Sequence, residues 1–281
     1  MIEVIETGLY SSIQDKGRFG YENYGVPISG SMDQFSSTLS NKLLNNKEQD
    51  AVMEITMTGP VLKFYNKTVI SITGADISPT LNNNPIRMNR AQSIEKGDVL
   101  SFGKLKYGIR SYLSVLGGFL TKRVMNSRSM YSNITKSFRI VKGQSLKINS
   151  IKSLDINSLI TQFDYMNHFH NYQIKVFRGP EFDFLSKTQK NEIFKNQFTI
   201  SNDNNRMAFQ LKENFKNKLK PIITSLVQQG TVQLTPSGKI IILMRDNQTC
   251  GGYPRILQLT ENAINRLSQK HMNNNISFEL A

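Results

Sequence analysis

The sequence predicts a mainly β protein made of two related β-barrel units with a few short helices. Three observations predict it. Apolar residues come in short runs rich in Val, Ile, Phe and Tyr. Gly, Pro, Asn and Asp punctuate those runs, as in antiparallel strands joined by tight turns. The order of glycine signals in the first half returns in the second.

The expected strands of the first half are Val61–Phe64, Val69–Thr73, Val99–Phe102 and Ser111–Leu116. Those of the second are Ile174–Phe177, Val232–Leu234 and Ile240–Met244. Three stretches read as helices. After Asp33, the residues Phe35, Leu39 and Leu43 recur at i, i+4 and i+8, with Ser31 and Gln34 as a capping box before them. A second helix spans Phe184 to Phe194, and a third begins near Thr260 with Ile264 and Leu267 on one face.

The repeat is faint but ordered. Gly59-Pro60 and Gly179-Pro180 each sit beside a strand. Gly97-Asp98-Val99 precedes the strand at Tyr112 and the pair Gly117-Gly118. Gly230-Thr231-Val232 precedes the strand at Ile240 and the pair Gly251-Gly252. Related units are the expectation. Residues 1–141 form the first, 172–281 the second, and the polar stretch 142–171 connects them.

A chain of 281 residues has room for two ordinary domains. Its one cysteine, Cys250, rules out an internal disulfide and suits a reducing compartment. The start, Met1-Ile2-Glu3-Val4-Ile5-Glu6, lacks the basic and apolar regions of a secretory signal. No apolar run approaches the ~20 residues that span a bilayer. A cytoplasmic protein with no membrane partner is therefore expected. The net charge is +14, but Lys and Arg are spread along the chain, with no basic stretch carrying interleaved aromatics. That excludes nucleic acid as the expected partner and reads as solvated lysines.

Two polar loops carry the candidate chemistry. The first runs from Gln14-Asp15-Lys16-Gly17-Arg18 through Gly20-Tyr21 and Gly25-Val26-Pro27 to Gly30-Ser31-Met32-Asp33. Its glycines and proline shape a tight loop that holds a carboxylate, an amide and a guanidinium close together. Arg18 offers a fork matching a carboxylate or phosphate, and Asp15 and Asp33 orient donors or act as bases. The bland alternative stands beside this: Asp15 and Arg18 pin the loop, and Asp33 caps a helix. The second loop, Arg245-Asp246-Asn247-Gln248-Thr249-Cys250-Gly251-Gly252-Tyr253-Pro254-Arg255, follows the most apolar strand. Polar groups just past a buried strand are well placed for a site. A plain turn satisfied by Asp246 and Gln248 is the alternative.

Cys250 has no histidine near it in sequence, so a nucleophilic role is not expected. His168-x-His170 offers two metal ligands without a third, so no metal site is expected. Neither a P-loop nor an Ala-Met-Lys-Met biotin-attachment segment occurs.

The two loops resemble the motifs of the 5-oxoprolinase C-subunit family. That family includes biotin-dependent carboxyltransferases, allophanate hydrolase subunit 2 proteins and antagonists of a sporulation-kinase inhibitor. Gln14-Asp15-x-Gly17-Arg18-x-Gly20-Tyr21 and Gly25-Val26-Pro27-x-Ser29-Gly30 match the first motif. Asp246-x-Gln248-Thr249-x-Gly251-Gly252-Tyr253-Pro254 matches the second. Between them Asn41, Glu54-Ile55-Thr56, Thr73-Gly74-Ala75-Asp76, Ser127-Arg128-Ser129, Gly179-Pro180-Glu181, Arg206-Met207 and Gln233 fall in family order. Ser31, Ala208, Leu226 and Cys250 depart from the usual residues.

The resemblance implies two cyclophilin-like β-barrel subdomains. It implies the C-subunit of an ATP-dependent 5-oxoprolinase, which opens the lactam of 5-oxoproline to glutamate. A B-subunit homologue would be its direct partner, and an A-subunit homologue would complete the enzyme. Two alternatives come with it. One is a carboxyltransferase module acting on urea or a related small amide, with biotin delivered by another protein. The other is a regulatory antagonist that binds a kinase inhibitor of the B-subunit type. ATP with Mg2+ would serve the assembled complex. Gln14, Asp15, Arg18, Asp33, Asp246 and Gln248 are the implied catalytic positions. Arg206, Gln233, Thr249, Gly251, Gly252 and Tyr253 are the implied substrate-binding positions. Both loops are expected to fold into one polar pocket for a small anionic amide.

Overall fold

The computed structural model describes residues 1–149 and 165–281. The chain divides into two compact units, Met1–Arg18 with Ser29–Asp164 and Phe19–Ile28 with Tyr165–Ala281. Part of the expected link over 142–171 lies outside the described residues.

The first unit is built from two sheets. One holds β1 (Ile2–Glu6), β4 (Val61–Phe64), β6 (Pro79–Leu81), β7 (Asn84–Pro85), β9 (Val99–Phe102) and β11 (Ser145–Leu146), in the order β11-β1-β4-β9-β6-β7. The other holds β2 (Tyr10–Gln14), β3 (Val52–Thr56), β5 (Thr68–Asp76), β8 (Ala91–Ile94) and β10 (Tyr107–Val115), in the order β2-β3-β10-β5-β8. Ile2, Val4, Leu62, Phe64, Ile70 and Leu113 meet in one buried core drawn from both sheets. Burying alternate residues of each strand drives this packing.

The second unit closes. Strands β12 (Gln173–Arg178), β13 (Phe198–Asn204), β14 (Ala208–Asn214), β16 (Thr231–Leu234), β17 (Lys239–Leu243), β19 (Arg255–Leu259) and β20 (Asn275–Leu280) form a seven-stranded barrel in the order β12-β19-β16-β17-β14-β13-β20. Closure comes from β20, which pairs parallel with β12 and antiparallel with β13. A small ribbon of β15 (Ser225–Leu226) and β18 (Cys250–Gly251) stands apart from the barrel. The mainly β architecture with few helices is the one the sequence predicts.

The helices refine the expectations. Helix α1 (Gln34–Lys42) starts at Asp33, whose carboxylate accepts from the Ser36 amide, so the expected Ser31/Gln34 box is not the cap. Of the expected Phe35/Leu39/Leu43 stripe, Leu43 at the C-cap is buried and Phe35 and Leu39 are not; the helix's own buried residues are Ser36, Ser37, Ser40 and Asn41. Small hydroxyl side chains let the helix backbone come close to β5 and β10. Ser40 meets Ser71 at 2.9 Å, Thr73 Oγ1 donates to the Ser36 carbonyl at 2.6 Å, and Ser114 donates to Asn41 at 2.9 Å. Helix α2 (Tyr165–His170) carries His168 and His170. Helix α3 (Lys187–Lys195) has a complete capping box from Ser186 and Gln189. Helix α4 (Glu261–Leu267) is capped by Thr260 and buries Ile264 and Leu267 as expected. Among the described residues, no helix is long and apolar enough to cross a membrane.

Candidate functional site

In the first unit, Asp15 gathers the chain around it. Its carboxylate accepts from the Gly17 amide at 2.9 Å, Ser127 Oγ at 2.6 Å, Ser129 Oγ at 2.7 Å and the Arg128 amide at 2.6 Å. Arg18 is wholly buried and donates to the Ser129 carbonyl. Thus Ser127-Arg128-Ser129 is the other half of the first loop, and Asp15 binds it rather than pairing with Arg18. Gln14 is buried at the end of β2. Its amide NH2 donates to Ser12 Oγ at 2.9 Å and to the Met130 carbonyl at 3.2 Å.

A second buried network surrounds Asp33. The Tyr112 hydroxyl donates to Glu54 at 3.0 Å and accepts from the Asp33 amide at 2.7 Å. Glu54 also accepts from the Met32 amide at 2.7 Å, and Arg110 lies 3.9 Å from its other oxygen. Burial, then the charges of Glu54 and Asp33, push the Tyr112 phenol well above its usual range. It stays a neutral donor, tying β3 and β10 to the start of α1.

In the second unit, Arg206 grips Asp246 with both arms of its fork, at 2.8 and 3.1 Å. The Asp246 amide also donates to the Arg206 carbonyl at 2.9 Å. Arg245 is turned inward onto Gln229, Glu261 and Asn265. Gln233 is buried on β16, and Val227 and Gln233 fill the space a side chain at Gly251 would take, with Gln233 Nε2 only 2.5 Å from such a Cβ. Gln248 Oε1 is buried, Gly252 accepts from the Ile222 amide at 2.9 Å, and Tyr253 is exposed.

A cleft of about 610 Å3 opens within the second unit. One wall is Glu22, Asn23, Pro27 and Ile28, which belong to the first glycine-rich loop in sequence but group with this unit. Leu226, Val227, Gln228 and Gln229 form another wall, and Asn247 and Thr249 come from the second loop. Thr231, Leu257 and Gln258 contribute from β16 and β19, and Arg178-Gly179-Pro180 and Arg255 complete it. The volume suits a small metabolite.

Arg255 is locked in place. Its side chain donates to Glu181 at 3.0 and 2.8 Å, to Ser225 Oγ at 2.8 Å and to the Leu226 carbonyl at 3.0 Å. Those hydrogen bonds hold the Glu181 carboxyl below its usual range. This explains Gly179-Pro180-Glu181: a Cβ at Gly179 would lie 2.1 Å from the Arg255 carbonyl, so only glycine lets the turn pack against β19.

The nominated residues divide between the two units. Gln14, Asp15, Arg18 and Asp33 lie in the first unit, and Arg206, Gln233, Asp246, Gln248, Thr249, Gly251, Gly252 and Tyr253 in the second. Thr249 lines the cleft. Pro27 and Ile28 lie on the same cleft as Asn247 and Thr249, so parts of both loops do meet within the second unit. Sequence reasoning missed Glu22, Arg178, Asn247, Arg255 and Gln258 as lining residues. Arg255 closes the second loop in sequence, and its partnership with Glu181 was visible only as two separate motifs. The three nominated aspartates do not fit a metal. Asp15 and Asp33 are taken up by hydroxyl and amide donors, and Asp246 by Arg206. Among the described residues, no group of His, Cys, Asp and Glu is arranged to hold a metal ion.

The chain is similar to proteins of known name. It is 26% identical to the 5-oxoprolinase C-subunit of Haemophilus influenzae, over 99% of this chain and 91% of that one. It is 27% identical to the 5-oxoprolinase C-subunit of Escherichia coli, over 99% of this chain and 90% of that one. The crystal structure of the K. lactis urea amidolyase superimposes with a TM-score of 0.88 at 28% identity, covering 99% of this chain but only 18% of that larger one. The family description "carboxyltransferase domain, subdomain A and B" matches residues 24–280. The chain belongs to the carboxyltransferase domain family of paired subdomains A and B.

Proposed function

We propose that this chain is the C-subunit of an ATP-dependent 5-oxoprolinase, in direct contact with a B-subunit homologue and completed by an A-subunit homologue. The reaction is the opening of the lactam of 5-oxoproline to glutamate. The carrying observation is the likeness, along 99% of the chain, to two proteins named as 5-oxoprolinase C-subunits. The cleft of the second unit is the substrate site in this reading, with ATP and Mg2+ entering in the assembled complex.

A lactam is a stable amide. ATP supplies the phosphoryl group that turns its oxygen into a leaving group. The chain's own residues bind and orient the ring. Pro27, Ile28, Val227 and Leu257 offer apolar wall to its methylenes, while Asn247, Thr249 and Gln258 offer uncharged hydrogen-bonding groups to the amide. Held by the bond to Glu181, Arg255 keeps the Ser225–Leu226 wall in register. Such preorganised donors are what amide activation requires.

The test is co-expression with the B-subunit and A-subunit homologues, measuring glutamate released from 5-oxoproline with ATP. Release requiring all three chains supports the proposal. Tight binding of the B-subunit homologue without release points to the regulatory reading instead. A second reading, a carboxyltransferase module acting on urea, draws on the likeness to the K. lactis urea amidolyase. There biotin would arrive on another protein, and carboxylation of urea by the biotin-carrying partner is the assay that favours it.

A further inference from the structure

We infer that Arg178 recognises the carboxylate of the ligand held in the second unit's cleft, and that Glu22 accepts from its amide N–H. The inference rests on the reading above, that a small anionic amide occupies this cleft. The charge of the lining leads to it. The cleft holds three charged side chains, Glu22, Arg178 and Arg255. Arg255 is neutralised by Glu181 and spends its fork inside the protein. Among the described residues, neither Arg178 nor Glu22 forms an ion pair with an opposite charge. Asp183, the acid nearest Arg178 in sequence apart from Glu181, makes its ion pair with Lys190 at 2.7 Å, and Arg178 acts on it only as the weaker, more distant charge. Hence the cleft keeps one guanidinium and one carboxylate that do not cancel each other.

Arg178 is also held ready. It ends β12, and the turn after it is fixed by the Gly179 amide, which donates to the Ile256 carbonyl at 2.9 Å. Its guanidinium lies 5.2 Å from the centre of the Phe182 ring, and Phe182 is itself buried. A guanidinium stacked on a ring and anchored by a rigid turn loses little freedom when it grips a carboxylate. Glu22 accepts from the Gly20 amide at 2.8 Å through one oxygen, which fixes it and leaves the other to a ligand N–H. An anion at one end and an amide N–H beside it are the two features of 5-oxoproline that a neutral lactam lacks in part.

The experiment is calorimetric titration of the full chain, wild type against Arg178→Ala and Arg178→Lys, with three ligands. These are 5-oxoproline, 2-pyrrolidinone (the same lactam without the carboxylate) and malonamate (an open-chain amide carrying a carboxylate). Wild type is expected to prefer 5-oxoproline to 2-pyrrolidinone. Arg178→Ala should weaken 5-oxoproline by about tenfold or more and leave 2-pyrrolidinone unchanged, with Arg178→Lys between. Glu22→Ala should weaken both lactams alike. Arg178 is exposed, so its variants should keep the wild-type thermal midpoint. Equal weakening of charged and neutral lactam by Arg178→Ala, or none, overturns the inference. So does wild type that binds neither carboxylate ligand. Malonamate bound through Arg178 while 5-oxoproline is ignored would uphold the inference and overturn the 5-oxoproline reading.

Discussion

At the scale of single residues, the carboxylates most prominent in the sequence hold the protein together. Asp15 accepts four hydrogen bonds across its two oxygens. Asp15→Ala leaves those donors unmet, and a loss on the order of 3 kcal/mol is expected by urea unfolding. The Arg206–Asp246 pair is bidentate, with each side chain about 10% exposed. Removing either partner strands a charge, so Arg206→Leu and Asp246→Leu should each cost about 3–5 kcal/mol. The double variant should cost less than their sum, as a double-mutant cycle would show. Lys270 makes a pH-dependent contribution. Burial, then Arg266, lowers its ammonium from 10.5 to about 8, although it donates to the Phe169 carbonyl and lies 4.2 Å over the Tyr172 ring. Between about 8 and 10.5 the unfolded chain holds a proton on this lysine that the folded one has released. Unfolding therefore takes up a proton, and this residue's contribution to stability rises with pH across that window. The rise should be present in wild type and missing from Lys270→Met in urea midpoints taken at several pH values. The residue types of the two loops were legible because Gly, Asp and Arg cluster there. Their partners were not. Ser127, Ser129 and Glu181 stand far away in the chain, and no local pattern announces a long-range hydrogen bond.

At the scale of elements, the strands were read well where Val, Ile and Phe are dense, as in β5, β10 and β17. They were missed where the strand is polar. Strand β13 (Phe198–Asn204) ends in Ser201-Asn202-Asp203-Asn204, which reads as turn chemistry until the barrel overrides it. Helix α1 was placed correctly and faced wrongly. Hydrophobic periodicity assumes that apolar residues point inward, whereas here serines do, because their size and hydroxyls suit a close helix–sheet approach. The turn after β12 yields the prediction for this scale. Gly179→Ala would drive a methyl group to 2.1 Å from the Arg255 carbonyl. A lower melting temperature is expected, with a loss of about 1–3 kcal/mol or more. Ligand binding in the cleft should weaken too, since Arg178 and Arg255 flank that turn.

At the scale of the whole molecule, the mainly β class and the likeness of the chain to its family were legible from strand spacing and the two long motifs. The grouping of Phe19–Ile28 with the second unit was not. A division along the sequence cannot assign a stretch to residues that lie more than a hundred positions ahead of it. Composition does give one prediction. Cys250 is the single cysteine, so no internal disulfide can form, and unfolding midpoints of the monomer with and without reductant should coincide. The barrel's closing strand carries a different lesson. Because β20 (Asn275–Leu280) seals the gap between β12 and β13, a chain lacking that strand presents a barrel with two bare backbone edges. A stop codon or frameshift ahead of β20 would leave β12 and β13 each without that partner and convert a folded product into an aggregation-prone one.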